Sequence, residues 1–303
     1  MNRRDFIASS AALAGTAYSA HAMLKPANQP ANQTANQPAL AAPSQAATPK
    51  TGRLRHSVCQ WCFGSMPLDE LAKNAAAMGI QSVELLMPEQ WDTLKPYGLT
   101  CAVAGFVHNN RIHSGWNRVE NHDAIIKDME YRLPQCKAAG IPNQIVFSGN
   151  RDGMNDLEGL KNCAKGLKRL TPLAEQLGVT LVMELLNSKR DHKDYMCDRT
   201  PWGVNLVKEV GSPRFKLLYD IYHMQIMEGD VIATILENYD YIAHYHTAGV
   251  PGRREIDEKQ ELNYRAICTA LADKGFQGYF AQEFMPVRDP MASLKQSIEI
   301  CTV

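Results

Sequence analysis

The chain has 303 residues and formal charge zero, with 32 Lys+Arg against 32 Asp+Glu, which excludes binding to nucleic acid through net positive charge. Hydrophobic residues make up 45% and aromatics 8%, a globular composition, and no run of about 18 uncharged apolar residues is available to span a bilayer. The average hides a division: four of the basic and one of the acidic residues fall in the first fifty, leaving a net of −3 on the other 253.

Residues 1–22, MNRRDFIASSAALAGTAYSAHA, set Arg3 and Arg4 before a short apolar stretch that ends on Ala20-His21-Ala22. This is the layout of a secretory signal with a small-x-small cleavage site, and Arg3-Arg4 followed by Asp5-Phe6-Ile7 resembles a bacterial twin-arginine signal. It predicts an exported, periplasmic protein, a cut after Ala22, and the twin-arginine export machinery as a partner. Residues 23–52 repeat Ala-Asn-Gln three times among prolines. Such a segment buries too little apolar surface to offset its ordering entropy, so a disordered tether is expected.

The catalytic domain is expected over 53–303. Apolar runs begin it: His56–Trp61 as a strand, then Leu68–Gly79 as a helix with Leu68, Leu71, Ala75 and Met78 on one stripe. Strands follow at Ser82–Leu86 and Thr100–Val107, a helix at His122–Ala139, and a strand at Gln144–Phe147. A helix from about Asp152 through Leu177 closes on Gly178, a good C-terminal glycine. Thr180–Leu185, Phe215–Asp220, Tyr241–His246 and Tyr279–Glu283 complete eight strands. Eight strand-helix units in about 250 residues predict a single-domain α/β fold, a (β/α)8 TIM barrel. A doubly wound open sheet is the alternative, but no Gly-rich phosphate loop follows the first strand.

The eight cysteines form no disulfide framework by spacing, and a domain this large needs none. Cys59-Gln-Trp-Cys62 lies in an apolar run rather than at a redox turn, and zinc would need a second pair. Both cysteines read as buried thiols.

The last four strands end differently from core strands. Glu184 ends the fifth, Asp220 the sixth, His244 and His246 sit on the seventh, and Glu283 ends the eighth. Three carboxylates converging on a barrel mouth repel one another unless a cation or proton holds them. A divalent ion resolves the conflict, and a mixed oxygen and nitrogen set suits Mn²⁺, Mg²⁺, Co²⁺ or Zn²⁺. His244 and His246 share one side of their strand, which leaves open which of them is the ligand. Glu84 and His108 also point to the mouth on these strand assignments, as candidates for substrate contact, and Trp61, Phe106 and Trp116 are candidates for an apolar wall.

The segments Met183-Glu184-Leu-Leu-Asn187-Ser, Tyr219-Asp220-Ile-Tyr-His223-Met-Gln225, His246-Thr-Ala-Gly249-Val-Pro-Gly-Arg253 and Gln282-Glu283-Phe resemble the xylose-isomerase-like TIM-barrel family, nearest to its hydroxypyruvate isomerase branch. The resemblance implies that Glu184, Asp220, His246 and Glu283 ligate one divalent metal. It makes Glu184 and Glu283 the catalytic acid and base and His223 and Arg253 substrate-binding residues. One position departs from that branch: hydroxypyruvate isomerases often carry glutamine where His246 stands, and histidine matches the ketose 3-epimerases. The implied activity is an isomerase or epimerase of a sugar or hydroxy-keto acid, working by proton abstraction beside a chelated carbonyl through an ene-diolate. A lyase acting on oxidised sugars or glycosides needs the same first step, and a non-catalytic periplasmic sugar-binding protein needs neither metal nor paired bases. The expected partner is a small-molecule carbohydrate or hydroxy-keto acid; nucleic acid is not expected, and homo-oligomerisation is left open.

Overall fold

A computed structural model describes residues 52–303; the expected export signal and, apart from Gly52, the expected tether lie outside the described residues. Eight parallel strands form: β1 (Arg55–Cys59), β2 (Ser82–Glu84), β3 (Val103–Ala104), β4 (Asn143–Val146), β5 (Thr180–Glu184), β6 (Phe215–Asp220), β7 (Ile242–Thr247) and β8 (Tyr279–Gln282). They pair in the order β2-β1-β8-β7-β6-β5-β4-β3. Between β2 and β3 the ladder continues through Val83 N donating to Thr100 O at 3.1 Å and Leu85 N to Val103 O at 2.9 Å. The result is a nearly closed barrel of one domain.

Helices pack outside it: α1 (Leu68–Ala77), α2 (His122–Ala139), α3 (Asp156–Leu177), α4 (Thr200–Val210), α5 (Ile221–Met227), α6 (Val231–Glu237), α7 (Tyr264–Asp273) and α8 (Pro290–Cys301). Their apolar stripes explain the packing. In α2, Ile125, Met129, Leu133 and Cys136 are buried at spacings of four, four and three, which keeps them on the face toward the sheet. Asn155 caps α3 by accepting from Glu158 N, and Gly178 ends it with φ of 71°, a left-handed conformation glycine adopts without a Cβ clash. The strand expected over Thr100–Val107 contracts to β3 because the chain turns out at Gly105, where a Cβ would sit 3.0 Å from Leu85 O. All eight cysteines are free thiols.

Register is what assembles the site. Asp220 lies opposite His246, and His246 opposite Ala281, two residues before Glu283. A bulge lets Leu217 and Leu218 face Ile242 and His244, so Ala243 is the extra residue. That slip aligns His246 with the end of β6, and all four donors reach the C-terminal rim where TIM-barrel sites are built.

Candidate active site

Glu184, Asp220, His246 and Glu283 are buried, and one ligand atom from each lies within 4.8 Å of all the others. Two donors facing each other across one ion about 2.1 Å away are about 4.2 Å apart, so the set nearly matches a single coordination sphere. His246 Nδ1 stands 3.0 Å from Glu283 Oε2 and 3.4 Å from Glu184 Oε1. Asp220 divides its oxygens: Oδ1 accepts from His223 N at 3.1 Å as the cap of α5, while Oδ2 is buried without a hydrogen-bond partner. A buried carboxylate oxygen left without a donor costs free energy, which a cation would recover. The residues present therefore fit a divalent ion.

The electrostatics carry the same strain. Burial, and then the Glu283 charge, raise the Glu184 carboxyl, although His246 opposes this. Burial pushes Asp220 well above the carboxylate range despite Arg253. Glu283 resists its own burial because His246 and Arg253 hold it well below that range. His246 would be depressed by burial, but Cys59 and Glu283 hold it well above the ordinary histidine value. Three acids thus share too little positive charge.

Arg253 reaches the cluster from the loop after β7. Its Nη2 is 2.6 Å from Glu283 Oε2 and 3.5 Å from Asp220 Oδ2, and its guanidinium lies 5.0 Å from the Trp61 ring centre and 5.4 Å from that of Tyr222. The loop is held by Arg253 N donating to Gly249 O at 2.9 Å and Met285 N to Arg253 O at 2.8 Å. Arg253 Nε is buried and unpartnered, a donor available to a substrate oxygen.

His223 is set by a neighbour whose role the sequence does not announce. Asn187 Oδ1 accepts from Arg190 N at 3.0 Å and Asp191 N at 2.9 Å, which orients the amide so that Nδ2 faces His223 Nδ1 at 2.6 Å. The ring nitrogen accepts, so Nε2 carries the proton. That Nε2 is buried, unpartnered and 3.6 Å from Asp220 Oδ2. Burial, with Arg253 nearby, depresses its basicity strongly, so His223 is a neutral hydrogen-bond donor to whatever occupies the site.

A cavity of about 280 Å³ opens beside these groups, lined by Trp61, Leu85, Phe106, Ile112, Ile145, Phe147, Glu184, Leu186, His192, Arg253 and Glu283. Trp61 Nε1 donates to Glu283 Oε1 at 2.8 Å. His192, from the loop after β5, packs its ring 5.2 Å from that of His223; no periodicity marked that loop.

Three candidates stand elsewhere than at the cavity wall. His108 does not reach the cavity: β3 ends at Ala104, strand alternation lapses there, and His108 lies in a depression with Lys127 and Tyr131 beside α2. Glu84 does point into the barrel but is not among the residues lining this cavity, because His246 stands between, its Nε2 2.9 Å from Glu84 Oε1. Trp116 is fully buried outside the cavity wall, whereas Trp61 and Phe106 line it. Of the two strand-seven histidines, His246 joins the donor set and His244 pairs with Glu84 at 2.7 Å.

Residues 72–302 match the model of the Xylose isomerase-like TIM barrel family, and the chain belongs to it. Hydroxypyruvate isomerase of Escherichia coli is 26% identical over 253 residues, covering 77% of this chain and 93% of that one. The fold is shared with a solved structure described as AP endonuclease, family 2, from Brucella melitensis (TM-score 0.71, 24% identity, 80% of this chain and 97% of that one). It is also shared with 3-keto-D-glucoside 4-epimerase from E. coli (TM-score 0.66, 20% identity, 81% of this chain and 98% of that one).

Proposed function

We propose that this chain is a metal-dependent isomerase or epimerase that moves a proton next to the carbonyl of a ketose or hydroxy-keto acid. The observation that carries the reading is that Glu184, at the end of β5, and Glu283, just after β8, line one cavity while belonging to one four-donor set with Asp220 and His246. A divalent ion, Mn²⁺, Mg²⁺, Co²⁺ or Zn²⁺, held by those four residues would polarise the carbonyl and stabilise negative charge on its oxygen. Glu184 and Glu283 take the proton from one carbon and return it to that carbon or its neighbour. His223 Nε2 donates to a substrate oxygen and fixes the reacting carbons. Arg253, through Nε, pairs with a carboxylate or outer hydroxyl. Trp61 and Phe106 screen the site from water.

The name of the E. coli relative, hydroxypyruvate isomerase, supports a hydroxy-keto acid, and His246 supports a ketose. The signal-like pattern of residues 1–22 supports an exported enzyme in this reading. The test is chelation of the whole enzyme followed by metal return, with product identification. Turnover should fall roughly 100-fold or more and recover with one of the four ions; unchanged turnover contradicts the proposal, and an eliminated product would make the enzyme a lyase.

A further inference from the structure

Behind His246, on the side away from the cavity, sits a second buried group. Glu84 closes β2 and is fully buried. Its Oε1 accepts from His246 Nε2 at 2.9 Å and from His244 Nε2 at 2.7 Å. Cys59, its register partner on β1, places Sγ 3.9 Å from that oxygen and 3.8 Å from His246 Nε2. An ionised carboxylate has no hydrogen to give, so His246 Nε2 is the donor. In the neutral ring the lone pair then lies on Nδ1, the atom that faces Glu184 and Glu283.

We infer that Glu84 is a positioning residue, anchored by His244, that holds His246 with Nδ1 presented to the divalent ion. The inference rests on the metal-dependent reading above. A buried carboxylate is costly unless its hydrogen bonds are well made, and the two short ones Glu84 makes through Oε1 are to these histidines, beside a long contact from Cys59 Sγ, while Oε2 has no partner. A carboxylate behind a ligating histidine fixes the ring's orientation and tautomer, and losing it typically weakens metal binding about 10- to 100-fold. His244 has the matching task one residue pair lower on the strand. Its ring stands 5.1 Å from that of His246 at 84°, so it can hold the same oxygen without occupying the same space.

The experiment is Mn²⁺ titration of the full chain, followed by electron paramagnetic resonance with pulsed detection of coupling to histidine ¹⁴N. Wild type should bind one ion with a ¹⁴N coupling. Glu84→Ala should weaken binding about 10- to 100-fold and diminish the coupling. Glu84→Gln keeps an Oε1 acceptor and should remain within about tenfold of wild type. Glu84→Ala added to His246→Ala should cost little more than His246→Ala alone, because the two act as one unit. Unchanged affinity and coupling in Glu84→Ala, or fully additive losses, would overturn the inference. So would two ions per wild-type chain with one lost in both Cys59→Ser and Glu84→Ala, which would make Glu84 a ligand. If Glu84→Ala does not fold, His244→Phe removes the anchor instead, and unchanged Mn²⁺ binding there contradicts the inference. A wild-type chain that binds no Mn²⁺ would sink the metal-dependent reading itself.

Discussion

Asn187 shows how one amide decides what a buried histidine at the candidate site can do. With Oδ1 held by two backbone N–H groups, its Nδ2 makes His223 an acceptor at Nδ1 and hence a donor at Nε2. Asn187→Ala should leave that ring free to turn; losing a buried hydrogen-bond partner costs about 1–3 kcal/mol, which lowers kcat/KM by roughly 5- to 150-fold, measured by steady-state kinetics. Glu184, Asp220, His246 and Glu283 were legible in the sequence because each interrupts the end of an apolar strand, where an ionisable side chain has no structural reason to be. Asn187 and His192 lie in a loop without period, so nothing local shows that the fold returns them to His223. Glu84 was legible as a strand-end acid, but the depth at which it stops, behind a histidine rather than beside substrate, is set by cross-strand register.

At the scale of elements, β6 and α2 form over the residues read from the sequence, Phe215–Asp220 and His122–Ala139, because β6 is a near-continuous apolar run buried on both faces and α2 keeps its buried residues at helical spacing past Pro134. β3 does not, since a pleat ends where Gly105 lets the chain pass close to β2. The period of two put His244 and His246 on one side of β7 but carried no information about which reaches the rim. Strand direction, with the register that sets His246 opposite Asp220, decides that. The loop after β7 is equally exacting: a Cβ on Gly249 would fall 2.2 Å from Glu255 O and 3.1 Å from Arg254 O. Gly249→Ala must move backbone rather than a flexible side chain, so it should destabilise the protein by about 1–3 kcal/mol. It should also draw Arg253 off Glu283, seen as a lower Tm together with a raised KM.

For the whole molecule, burial makes pH a lever on stability away from the site. His56 is fully buried in β1 with neither ring nitrogen hydrogen-bonded, and burial lowers its pKa from 6.5 to about 4. The unfolded chain takes up the proton first as pH falls, so the stability that neutral His56 contributes is complete above about pH 6.5 and is lost as pH falls toward 4. Between pH 7.5 and 4.5 the wild type should lose about 2–3 kcal/mol more than His56→Leu in urea unfolding. The net charge of zero over 303 residues averages barely charged first fifty residues with a domain in which three buried acids, Glu184, Asp220 and Glu283, converge on one point. In the proposed reaction Glu184 and Glu283 move a proton at the carbon beside a carbonyl. Turnover of a ketose or hydroxy-keto acid in D2O with metal present, followed by NMR of the substrate and product carbons, tests it most directly. Wild type should place deuterium at that carbon, and Glu184→Gln and Glu283→Gln should each slow the exchange by roughly 10²- to 10⁴-fold; both variants exchanging at the wild-type rate would contradict it.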